Sequence, residues 1–304
     1  MRAATSISAP SVTAQVEPDA ALIPKLFPSL AEGELAERYF PGKMWLLDEG
    51  PLERIPGIID AFLRPDLKGL LDLSNHDVIA YANGGNGERP YTRVPKSAAM
   101  FVQQQGMSLE VQYLNESVPC VAAWLESLVR ELGVPGGKSI FCCAIVSPPG
   151  EALPVHFDDI EVISLQLSGR KRWWIAPPDE GGRFPLQNSF DRARRRDAYP
   201  LAIPELSGPP TLEMRRGSVV FLPRGFWHRT EALEPSVNLV FVIDTPMAFE
   251  VALEALRAKM LERTDWRRTV AGKAREQTRT TTAAALEGSL DRLLDELQRA
   301  WSSP

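Results

Sequence analysis

The sequence predicts an α+β protein in which a β core, a sandwich or barrel, lies between two helical regions. Three observations carry this expectation. Short apolar runs (SIFCCAIVS, VISLQL, KRWWIAPP, GSVVFLP, SVNLVFVID) cluster between residues 138 and 246, separated by Gly, Pro and Ser turns. Before them, residues 117–133 (SVPCVAAWLESLVRELG) place Val121, Trp124, Leu125, Leu128, Val129 and Leu132 at helical spacing and stop at Gly133. After Asp244 the pattern is helical to the end, with Leu286, Leu290, Leu293, Leu294, Leu297 and Trp301 along one face.

The elements follow in order. Residues 1–20 lack the apolar segment of a secretory signal and read as a flexible tail, with a transit peptide as the alternative. Residues 21–137 form a mixed region packing on the core. Within it, 21–75 reads as helices and loops, with two short helices around Pro65 and a loop at YANGGNGERPY (81–91) that could border a substrate entrance. The core spans 138–246. In it, Ser168-Gly169 predicts a hairpin that sets Leu167 opposite Arg170, Gln166 opposite Lys171 and Ser164 opposite Trp173. Residues 247–304 read as a helical region whose leucine face suggests a homodimer.

Totals exclude several classes. With 304 residues and a net charge of −5, the chain has room for a large core and no global field favouring nucleic acid. The basic stretch DRARRRD (191–197, with Arg192 to Arg196) reads as a solvated loop, an RNA or acidic partner being the alternative. No apolar run reaches the roughly 20 residues that span a bilayer. Three cysteines, Cys120, Cys142 and Cys143, fit neither a disulfide framework nor a zinc motif. They read as buried apolar residues in a reducing, cytoplasmic setting.

Only three histidines are present: His76, His156 and His228. His156 and Asp158 stand at i and i+2, so on extended backbone both side chains point to one side. Imidazole and carboxylate together suit a divalent transition metal, and two histidines with one carboxylate form the facial set of non-haem Fe(II) oxygenases. His228 supplies the third ligand from a corner, G-x5-P-x-G-x2-H, made by Gly217, Pro223 and Gly225. His76, in LSNHDVIA, has no such setting and reads as structural.

A 2-oxoglutarate co-substrate would chelate that metal through one end and need a buried cation for its far carboxylate. Lys171 is the candidate, with Ser164, Gln166 and Trp173 expected on its face. A straight strand from Asp158 to Gln166 would run about 26 Å at roughly 3.3 Å per residue, too far for one small diacid. A bend near Asp159–Glu161 is therefore required.

The blocks HFDDIEVISLQLSGRKRWWIAPP and GSVVFLPRGFWHRTEA resemble the JmjC-type Fe(II)- and 2-oxoglutarate-dependent oxygenases, and within them the ribosomal-oxygenase branch. The resemblance covers about 140–245. It implies a double-stranded β-helix (jelly-roll, cupin) core with N-terminal helices and strands and a C-terminal helical region, iron ligands at His156, Asp158 and His228, and a 2-oxoglutarate C5-carboxylate site at Lys171. It also implies an amide near the co-substrate at Asn238. Two departures stand out: Ile163 replaces the usual Phe, and the C-terminal region leaves little room for a winged-helix domain. With Fe(II), 2-oxoglutarate and O₂, the resemblance implies hydroxylation of a protein or peptide side chain. Hydroxylation of a small molecule, such as a free amino acid or a natural-product intermediate, is the alternative. A non-catalytic cupin metal-binding protein is a third, and a buried cation beside the metal argues against it.

Overall fold

The computed structural model describes residues 21–40, 42–63, 66–82, 90–134, 140–179, 182–189, 203–262 and 264–267. The leucine face 286–301, the stretch 191–197 and the glycine-rich centre of the 81–91 loop lie outside the described residues. The chain divides into two units, Met1–Thr245 and Pro246–Pro304. In the second, the helix Ala248–Leu261 begins at Met247, whose N–H donates to the Glu250 carboxylate at 2.9 Å. No helix among the described residues is long and apolar enough to cross a membrane.

Among the described residues the first unit holds twelve strands: β1 (Leu46–Glu49), β2 (Val78–Tyr81), β3 (Tyr91–Val94), β4 (Ser108–Val111), β5 (Ile140–Ser147), β6 (Ala152–His156), β7 (Glu161–Ser168), β8 (Lys171–Ala176), β9 (Leu212–Met214), β10 (Ser218–Leu222), β11 (Trp227–Ala232) and β12 (Ser236–Ile243). They form two antiparallel sheets, an eight-stranded one in the order β1-β10-β7-β12-β5-β4-β2-β3 and a four-stranded one in the order β6-β11-β8-β9. This is a jelly-roll core with added strands and helices.

The side-chain period of two divides each central strand between two apolar layers. On β5, Cys142, Ala144 and Val146 join an outer cluster that includes the helix Pro119–Leu132 and short helices near the N-terminus. Trp124 of that helix meets Phe241 of β12 edge-on, with centroids 6.3 Å apart. The alternate residues Cys143, Val162, Val240 and Val242 turn inward, toward Trp173 and Ile175 of the smaller sheet. Both faces being apolar explains why these runs read as continuous rather than alternating. The three cysteines are buried and form no disulfide, and burial raises the Cys120 thiol to about 11.

The structure corrects two expectations. The N-terminal strands extend the larger sheet, β1 pairing with β10 and β4 with β5. β1 lies within the segment read as helices and loops; at four residues it is too short to show a period. The Ser168-Gly169 hairpin does not form. β7 is a central strand whose two edges are taken by β10 and β12, so β8 cannot pair with it. The chain instead crosses at Gly169 (φ +70°) to the smaller sheet, where β8 pairs with β11 and β9. Leu167, Gln166 and Ser164 therefore do not oppose Arg170, Lys171 and Trp173.

Gly217 marks another crossing. Its φ is +89°, and an added Cβ would run into the carbonyl of Gly50 at the end of β1. Gly217→Ala is expected to cost about 1–3 kcal/mol. The check is urea denaturation, where the midpoint should fall at unchanged slope; an unmoved midpoint would show that the turn tolerates a side chain.

Candidate metal centre

β6 and β11 are neighbours, and His156 and His228 are direct cross-strand partners. Their rings sit with centroids 4.0 Å apart. Asp158 follows two residues after His156, past the end of β6, in the bend that carries the chain back to the larger sheet. Its Oδ2 lies 3.7 Å from Nε2 of His228. One ligand atom from each of the three residues falls within a 4.8 Å span. The required bend is present: residues 157–160 are non-strand, so Asp158 and Ser164 belong to different segments.

Both histidines are oriented in the same way. Nδ1 of His156 bonds the carbonyl of Pro154 at 2.8 Å, and Nδ1 of His228 bonds that of Phe226 at 3.0 Å. A carbonyl only accepts, so each Nδ1 carries the proton and each Nε2 presents a lone pair. Trp173 stacks on His228 at 5.8 Å and 16°. Two imidazole nitrogens and a carboxylate oxygen, close together and with their tautomers set, fit a divalent transition metal.

The corner between β10 and β11 holds His228 in place. Pro223 ends β10, and Gly225 turns at φ +81°. The Gly225 N–H donates to the Asp158 carbonyl at 2.8 Å, tying the corner to the bend. Ser189 pins the other side: its hydroxyl accepts from Phe157 N–H at 2.9 Å, and its own N–H donates to Phe157 O at 3.0 Å.

The three residues open into a cavity of about 200 Å³. Ser164, Lys171, Trp173 and Asn238, four of the sequence candidates, line the same cavity. Lys171 reaches it from β8, opposite β12. Its ammonium donates to Asn238 Oδ1 at 2.8 Å, and Asn238 Nδ2 donates to Ser164 Oγ at 2.9 Å. All three are buried. Arg170 and Arg172, of alternate parity on the chain, are exposed and half-buried respectively; Arg170 pairs with Glu213 and Glu234, and Arg172 with Glu213. Gln166 is the exception among the candidates. It is buried but absent from the cavity wall, its amide bonding Ser168 O at 2.7 Å. His76 also lies away from the centre, 2.7 Å from Glu116.

Several wall residues escaped the sequence reading. Thr230 is the cross-strand partner of Trp173, so the period of β11 after His228 could have found it. Glu110, on β4, held by the amide of Gln112 at 2.8 Å, comes from a strand too short to announce itself. Behind the centre, Arg224 and Glu161 form a buried bidentate pair. Burial works against the Arg224 charge, but the hydrogen bond and charge of Glu161 outweigh it and raise the guanidinium above its usual range. Burial likewise pushes the Asp159 carboxyl up.

Because the three donors converge before any ion arrives, Co(II) should stabilise the protein. At a hundred times its dissociation constant the gain is about 2.7 kcal/mol. Thermal melts with and without Co(II) check this; a midpoint indifferent to the ion would contradict the donor set.

The family model described as the JmjC domain matches residues 138–251. The uncharacterized protein YxbC of Bacillus subtilis is 24% identical over 277 residues, covering 87% of this chain and 82% of that protein. Ribosomal oxygenase 1 of Gallus gallus is 28% identical over 214 residues, covering 64% of this chain and 33% of that protein. The chain thus spans about a third of that relative's length. Among solved structures, YcfD, a ribosomal oxygenase from Escherichia coli in complex with cobalt and 2-oxoglutarate, aligns with a TM-score of 0.53 at 20% identity. That alignment covers 81% of this chain and 59% of that one, and at such identity it establishes the fold.

Proposed function

We propose, from the premise that residues 138–251 are a JmjC domain, that this protein is an Fe(II)- and 2-oxoglutarate-dependent oxygenase that hydroxylates a protein or peptide side chain. One observation carries the reading. A two-histidine, one-carboxylate set and a buried lysine line one small cavity. A structural metal site needs no such cation.

In this reading His156, Asp158 and His228 hold Fe(II). When bound, the ion supplies O₂ activation coupled to oxidative decarboxylation of the 2-oxo acid. Lys171 receives the far carboxylate, with its direction set by Asn238, which Ser164 holds in turn. Trp173 and Thr230 close the wall against water. Gln166 has no direct part.

The choice of a protein substrate is supported by the likeness to ribosomal oxygenase 1. The test is succinate release from 2-oxoglutarate with candidate peptides, read beside mass spectrometry for the gain of one oxygen atom. Succinate formed only with small molecules would move the substrate to the alternative class. No succinate under any condition, from protein that binds iron, would remove the enzyme reading.

The same reading includes a homodimer through the C-terminal region, supported by the leucine spacing from Leu286 to Trp301. Light scattering at micromolar concentration should give twice the chain mass; a monomer removes it. That none of the three buried cysteines is in a disulfide supports a cytoplasmic setting.

A further inference from the structure

Arg224 and Glu161 have no role in the reading above, yet they are buried beside the metal centre, 5% and 0% exposed. Arg224 Nε donates to Glu161 Oε1 at 2.6 Å, and Nη2 donates to Oε2 at 2.8 Å. Thr245 closes the group: its hydroxyl donates to Glu161 Oε2 at 2.8 Å, and its carbonyl accepts from Arg224 Nη2 at 2.9 Å.

Stability alone does not account for this pair. Removing two charges from water is so unfavourable that a buried ion pair is often no better than apolar residues of the same volume. What the pair adds over apolar side chains is direction: a planar fork on a carboxylate has one geometry.

Its position shows what that direction governs. The β10–β7 ladder ends at Leu222 and Val162, and the two strands then part. One continues through Arg224 and Gly225 to His228. The other, read backwards, runs through Glu161 to Asp158 and His156. The ion pair therefore spans the fork from which all three ligands hang. His156 and His228 have their own strand pairing. Asp158 does not: past the end of β6, the bend that carries it is joined to the His228 limb by the Gly225–Asp158 backbone bond, the edge contact of Phe157 on Trp227 and the ion pair.

We infer that Arg224 and Glu161 are positioning residues of the metal centre, fixing the bend that carries Asp158 against the corner that carries His228. The inference rests on the proposed function only in taking these three residues as metal ligands.

The test is the double variant Arg224→Met/Glu161→Leu, with Glu161→Gln and Arg224→Lys beside it. Full-length protein is titrated with Co(II), following its visible absorption, and melted without metal. The double variant should melt near the wild-type temperature. Its Co(II) affinity should fall about 10- to 100-fold, the usual effect of losing groups that orient ligands, with a changed absorption band. Arg224→Lys, which keeps the charge and loses the fork, should fall between it and wild type. A double variant with wild-type melting, affinity and band would make the pair dispensable to the metal centre and overturn the inference. If the double variant does not fold, Glu161→Gln decides: it keeps the shape, and unchanged affinity and band again overturn the idea. Wild-type protein that binds no Co(II) would sink the metal assignment and this inference together. Wild-type binding with unaffected variants would sink the inference alone.

Discussion

Lys171→Ala is expected to weaken 2-oxoglutarate binding between about a hundredfold and a few thousandfold while leaving metal affinity nearly unchanged. Lys171 is 3% exposed and donates to Asn238 at 2.8 Å. Without it, the co-substrate carboxylate would be desolvated with no cation, a loss of about 3–5 kcal/mol. Each 1.4 kcal/mol or so is a factor of ten. Lys171→Arg should do less damage, since the charge survives with a different fork. Arg170→Ala and Arg172→Ala are controls, because Arg170 is exposed, Arg172 is half-buried, and both pair with surface carboxylates, where such pairs contribute little. Isothermal titration of 2-oxoglutarate into the Mn(II)-loaded proteins separates the cases. If Lys171→Ala behaved like the arginine variants, the co-substrate assignment would lose its main support.

Asp158→Ala is expected to abolish metal binding and turnover in a protein that still folds. The side chain is 27% exposed, and its neighbour at the centre is His228 Nε2 at 3.7 Å. The backbone carbonyl that accepts from Gly225 survives the change. Removing one of three ligands should cost more than the roughly 100-fold that losing an orienting group can cost. Circular dichroism and Co(II) titration together check both halves. A variant with wild-type activity on added iron would show that the ligand set is wrong.

The three candidate ligands are legible because each carries a local signature. The HxD spacing puts two donors on one side of extended backbone, and Gly225 and Pro223 announce a corner. The length from Asp158 to Gln166 also requires a bend, and one is there. What misled was the turn at Ser168-Gly169. A Gly after a strand reads locally as a hairpin, but whether the chain folds back depends on which edges of β7 are free. Both are occupied by strands that lie far away in sequence, β10 and β12. Lys171 still lines the cavity, because strand alternation on β8 sets its direction whatever β8 pairs with. Gln166 was lost with the hairpin. Glu110 and β1 were invisible for another reason: four-residue strands carry too little period to read.

The smaller sheet has a metric consequence. His228 on β11 is the cross-strand partner of Ile175, and Lys171 stands four residues back along β8 (175 − 171). At roughly 3.3 Å per residue that is about 13 Å of strand, spanned from both ends by side chains. The interval between iron-side and carboxylate-side groups is therefore gauged within one hydrogen-bonded ladder. Small shifts of one sheet against the other alter the cavity's width, not this length. Under the proposed function, repacking inner-layer residues such as Val240 or Cys143 would change what fits in the cavity without altering this interval.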